Sequence, residues 1–93
     1  MHEHSLISGL IHKIEHVAAQ EHSDRVVGVH VKLGALSHIS AEHFREHFEH
    51  AAVGTVAEGA VLGIEVLEDL RDPHAQEIML DRVELAVPRV SSR

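Results

Sequence analysis

Residues 25–33 alternate without a break. Val27, Val29, Val31 and Leu33 fall on one side, and Val26, Gly28, His30 and Lys32 on the other. Period-two alternation makes a β-strand with one buried face. Upstream, over residues 5–21, the apolar period changes to three and four: Leu6, Leu10, Ile14 and Val17 beside Ile7, Ile11 and Ala18. That spacing predicts an amphipathic helix, with Ser5 as its cap. His12, Lys13, Glu15, His16 and Gln20 form its polar face. Downstream, Ser40 caps a second predicted helix over 41–52, striped by Phe44, Phe48, Ala51 and Ala52. Gly54 to Gly59 turns the chain, and alternation returns over 60–68 and again over 77–87. In the last strand Ile78 and Leu80 are out of phase with Val83, Leu85 and Val87. A bulge near Asp81-Arg82, or a change of burial there, is therefore expected.

The order is α-β-α-β-β. A strand–helix–strand run implies a parallel crossover, and the short link at 69–76, with Pro73, suits an antiparallel hairpin. The expected fold is α+β: two helices packed on one face of a three-stranded mixed sheet. Residues 1–87 form one domain in this reading, and 88–93, from Pro88 onward, a loose tail. The phase shift at Asp81 suggests an exposed strand edge, which is compatible with a homodimer.

Composition narrows the function. There is no cysteine, which excludes disulfides and every thiolate metal site. With two Phe, no Trp and no Tyr, the core must be aliphatic. The formal charge is −7 with histidine neutral. Partial histidine protonation brings the effective charge to about −4 to −5. That balance, with no basic cluster, argues against nucleic acid. No apolar stretch approaches membrane-spanning length, and Met1 to Leu6 lacks the pattern of a signal peptide. The expected location is cytoplasmic, with no membrane partner.

The outlier is histidine, 11 of 93 residues, at 2, 4, 12, 16, 22, 30, 38, 43, 47, 50 and 74. The sharpest pattern is Met1-His2-Glu3. A histidine second in a chain sets its ring beside a free amine. The ring nitrogen and the residue's own amide nitrogen close a six-membered chelate. The terminal amine and the same amide close a five-membered one, and the Glu3 amide extends the set. Nitrogen-rich, planar-leaning coordination favours nickel(II) or copper(II) over tetrahedral zinc. Copper wins on raw affinity, so availability must enforce nickel.

His43, His47 and His50, spaced four and three, share one helix face. A single helix closes a metal shell poorly, so a solvated flank beside the Phe44/Phe48 core is the preferred reading. The four-spaced pair His12/His16 is read the same way. His30 suits a packed ring, and His74 an exposed one. A pH-responsive surface is a further use for so many imidazoles. No nucleophile elbow, phosphate loop or acid pair argues for catalysis, and no enzyme activity is expected.

Three segments together resemble the HypA/HybF family: Met1-His2-Glu3, the strand–loop VGVHVKLGALSHIS, and GTVAEGAVLGIE. EIMLDRVELAV is similar to the family's closing strand. The resemblance implies a nickel-binding accessory protein for [NiFe]-hydrogenase maturation, and in some bacteria for urease. It implies Ni(II) held at Met1, His2 and Glu3, with His2 as the key ligand. Its implied partners are the GTPase HypB and a hydrogenase large subunit precursor. Family members carry two Cys-x-x-Cys pairs as a zinc module between the last two strands. Here residues 69–76 bridge that gap, so no zinc site is expected. The alternative is a metal-independent docking or assembly module in hydrogenase biogenesis, which would not need Met-His-Glu.

Overall fold

Five elements run α1 (His2–Gln20), β1 (Val26–Leu33), α2 (Ala41–Ala52), β2 (Val61–Val66) and β3 (Ile78–Leu85). They come from a computed structural model that describes residues 2–86, with side chains from residue 5 onward. Met1, Val87 and the expected tail at 88–93 lie outside the described residues.

Helix α1 buries Ile7, Leu10, Ile11, Ile14 and Ala18, one stripe at three-and-four spacing. It begins at His2, so Ser5 lies inside the helix and is not its cap. The first turn holds no apolar residue, so apolar periodicity could not reveal it. Glu3 is an acidic residue in that first turn, a type that favours helix there through the positive end of the macrodipole. The far end closes in a Schellman arrangement. His22 takes a left-handed backbone (φ 57°), and the Ser23 amide donates to the Ala18 carbonyl at 2.9 Å.

Helix α2 matches its expected span and cap: the Ser40 hydroxyl accepts from the His43 amide at 3.1 Å. Phe44, Phe48 and Ala52 are its buried face. The two phenyl rings stack 5.9 Å apart at 26°. Segment 54–59 then satisfies the helix end. Gly54 turns with φ 81°, and its amide donates to the Glu58 carboxylate. The Thr55 hydroxyl donates to the Ala52 carbonyl at 2.7 Å, and Ala57 is buried.

The sheet order is β2-β1-β3. β1 and β2 are parallel, with Val29 opposite Leu62; β1 and β3 are antiparallel, with Val29 opposite Val83. The mixed sheet and the crossover through α2 are as expected. The hairpin is not. β3 pairs with β1 rather than with β2, because the link crosses the end of β1. Leu67 donates to the Leu33 carbonyl and Gly34 to the Glu77 carbonyl, each at 2.9 Å. The central place thus goes to β1, which is rich in valine and buries the most.

Two bulges set the faces. The first makes Val27 the extra residue on β1, so Val26 turns inward (1% exposed) and Val27 outward (42%). That corrects the strict alternation read from residues 25–33; a bulged residue lacks a partner and reverses the pleat. The second makes Asp81 the extra residue on β3, where a bulge was expected. It lets Ile78 and Leu80 share the core face with Val83 and Leu85. Both helices pack on that face.

The link between β2 and β3 is held by its own turns. The Asp69 and Asp72 carboxylates accept from the amides of Arg71 (2.9 Å) and His74 (2.8 Å). Leu36 donates to the Ala75 carbonyl at 2.7 Å. At this crossing Gly34 leaves no room for a side chain without a shift of the backbone: a Cβ there would collide with the Ala75 backbone and lie 2.7 Å from the His74 carbonyl oxygen. Gly34→Ala is expected to destabilise the chain by about 1–3 kcal/mol, the range for overpacking a tight site. A denaturant melt checks it, with Ala35→Gly as a control at a looser neighbouring position.

Candidate metal centre

Two regions gather groups able to ligate a metal. The first is the start of α1. Met1 lies outside the described residues, and His2 and Glu3 are the first two residues of the helix. The first four amides of any helix have no carbonyl one turn back to receive them. The His2 and Glu3 amides are among these. The main-chain nitrogens named from the sequence are therefore ones that α1 itself cannot use.

The second is a groove between α1 and α2, about 910 Å³ in volume. Ile7 and Ile11 contribute to its apolar lining. His12 and Glu15 rise from α1; Glu46, His47, Glu49 and His50 rise from α2. No lysine or arginine lines it. Arg45, the one such residue within α2, reaches the other way and donates from Nη1 to the Leu62 carbonyl at 3.1 Å. His43 and His47 form an edge-on ring pair with centroids 6.4 Å apart. His16 and His43 are exposed outside the groove lining. Among the described residues, no three histidine or acidic side chains converge on one point. Spacing alone makes the His12/His16 and His43/His47/His50 stripes separate flanks; the fold places His12 in one groove with His47 and His50. Sequence spacing could not show this, because α1 and α2 meet only through tertiary packing.

The remaining described histidines serve the frame. His30 lies on the sheet face away from the helices, its ring filling the space over Gly63. Its Nε2 stands 3.5 Å from Glu84 Oε2 and 3.4 Å from Arg82 Nη2. Arg82 in turn pairs with Glu84 at 3.5 Å, and Lys32 with Asp81 at 3.9 Å. That face is a lattice of half-exposed charges, worth little per pair in water. Such a packed, hydrogen-bonded ring is what the sequence implied for His30. His22 and His38 sit at left-handed turns, and His74 is exposed beside Glu77 at 3.1 Å.

Known proteins match along this frame. The family model for hydrogenase/urease nickel incorporation, the metallochaperone HypA, matches residues 1–71. Hydrogenase maturation factor HypA 1 of Bradyrhizobium diazoefficiens is 44% identical over 64 residues, covering 69% of this chain and 57% of its own length. The HypA factor of Thermomicrobium roseum is 41% identical over 66 residues, 71% of this chain and 50% of its own. The chain thus spans about half the length of these curated relatives. The solution structure of the nickel metallochaperone HypA from Helicobacter pylori superposes with a TM-score of 0.75 at 20% identity, covering 89% of this chain and 96% of that one. At that identity the likeness speaks for the fold, and the family rests on the match over residues 1–71: the chain belongs to the HypA family of hydrogenase and urease nickel-incorporation proteins.

Proposed function

We propose that this chain carries nickel(II) for the maturation of [NiFe]-hydrogenase. The ion is cargo. It is taken up by the Met1 amine, the His2 ring and amide nitrogens and the Glu3 amide, then passed on by ligand exchange. The observation that carries this reading is the family match over residues 1–71, a span that includes all three residues. The chemistry of the donor set agrees with it. Imidazole, amine and amide nitrogens are the ligands of tetragonal nickel(II), and helix geometry leaves the two amides without an intrahelical acceptor.

In this reading the protein binds and hands over a metal and catalyses nothing. It works in the cytoplasm as one domain over residues 1–87. No helix among the described residues is long and apolar enough to cross a membrane. Its partners are the GTPase HypB and a [NiFe]-hydrogenase large subunit precursor. A homodimer is compatible with the free sheet edges at β2 and β3. With no cysteine for a thiolate site, the chain does this without a structural zinc and holds its fold by packing alone.

The terminal amine separates this proposal from a site made of side chains only. One glycine added before Met1 moves the amine out of chelate range and leaves every side chain in place. Nickel(II) titration by isothermal calorimetry should show the high-affinity site in the native chain and its loss in the extended one. Equal affinity in both would remove the terminal amine from the site.

A further inference from the structure

We propose that the groove between α1 and α2 is a second binding site for a divalent transition-metal ion, held by mixed imidazole and carboxylate ligands from both helices. It is separate from the amino-terminal site. His2 and His12 are ten residues apart on one helix, about 15 Å along its axis.

Four observations carry this. The groove brings two ligating types from two elements: His12 and Glu15 from α1, with Glu46, His47, Glu49 and His50 from α2. Within each helix the donors are spaced to act together. His12 and Glu15, Glu46 and Glu49, and His47 and His50 are i,i+3 pairs, and such pairs project from one helix face. Bundle helices that hold metals carry a carboxylate and an imidazole three residues apart, the spacing of Glu15 and His12. The electrostatics favour a cation, with three carboxylates and no lysine or arginine in the lining. Finally, the His12, Glu46, Glu49 and His50 side chains are exposed, and Glu15 is half-buried.

In the described conformation no three of these donors converge among the described residues. Binding therefore proceeds by rotation of surface side chains onto the ion, with the helix backbones in place. Such a site leaves coordination positions to water. It binds more weakly than a preorganised one and exchanges its ion readily. Imidazole with carboxylate suits nickel(II) and zinc(II) alike.

The test uses nickel(II) as the probe and the His2→Ala full-length chain as background, so the amino-terminal site is silent. We expect one residual, weaker nickel(II) per chain, with paramagnetic broadening of the His12 and His50 ring protons in NMR spectra. Loss of a supporting contact alone costs about 10–100-fold in metal affinity, so loss of a ligand should cost at least about tenfold. His12→Ala and His50→Ala, each added to the background, should both weaken residual binding by that factor while the far-UV circular dichroism stays unchanged. Both positions are exposed on helices, where alanine is the best helix former, so the fold tolerates them. The proposal is overturned if the His2→Ala chain binds no nickel(II), or if residual binding withstands either groove substitution. The amino-terminal reading fails on a different result, namely full nickel affinity in the extended chain.

Discussion

His2→Ala is expected to weaken nickel(II) binding by at least about a hundredfold, the upper end of what losing a mere supporting contact costs a metal site. The reason lies in the order of events at the chain's start. An amide nitrogen binds a metal only after losing its proton, and metal binding drives that loss only when the ion is already anchored close by. In the proposed site the His2 ring is the anchor. Without it the terminal amine alone must hold the ion, and the His2 and Glu3 amides keep their protons. Alanine is as helical as histidine or better, so α1 survives and the metal-free melting temperature is the control. The ligands must shed protons to bind, so affinity in the native chain falls as the pH falls. Calorimetry in two buffers of different ionisation enthalpy reads the protons released. A His2→Ala chain with native affinity would sink the proposed site outright.

The second large effect concerns the core. Phe48→Ala is expected to destabilise the chain by about 3–5 kcal/mol, the range for a buried phenylalanine. Phe48 is 1% exposed and stacks on Phe44, which is fully buried. These two rings are the chain's whole phenylalanine, tyrosine and tryptophan content. The core around them is aliphatic, held by Ile7, Leu10, Ile11 and Ile14 from α1 and by Val26, Val29 and Val31 of β1. No other large ring can swing into the space. A domain of this size is stable by about 5–14 kcal/mol, so the substitution removes a large share. At about 4–8 °C per kcal/mol the melting temperature should drop by more than about 12 °C. A drop under about 5 °C would mean that α2 contributes far less to the core than its burial indicates. The same variant, if folded at low temperature, should keep the proposed amino-terminal nickel site, whose donors come from three consecutive residues at the start of the sequence.

Much of this molecule was readable in its residues, and the parts that were not share a cause. The Ser40 cap and the span of α2 follow from near-neighbour chemistry: a hydroxyl three residues from an amide, and apolar residues four apart. The bulge at Asp81 was visible because a phase reversal within one strand leaves the core face unsatisfied unless a residue is looped out. The bulge at Val27 was invisible, since unbroken alternation is its own best explanation until β3 imposes a register. The start of α1 was missed because residues 2–4 carry no apolar signal. Gly34 stood out as part of a motif, and only the crossing link at Ala75 explains why the position tolerates no side chain.

The same division holds for the metal groups. Met1, His2 and Glu3 are covalent neighbours, so the proposed chelate is read from their order and needs no fold. The path of β3 to the far side of β1, and the meeting of His12 and Glu15 with Glu46, His47 and His50, were decided only by tertiary structure. Contacts between residues thirty or more apart depend on how elements pack, and a linear pattern records each element's periodicity but not its neighbour.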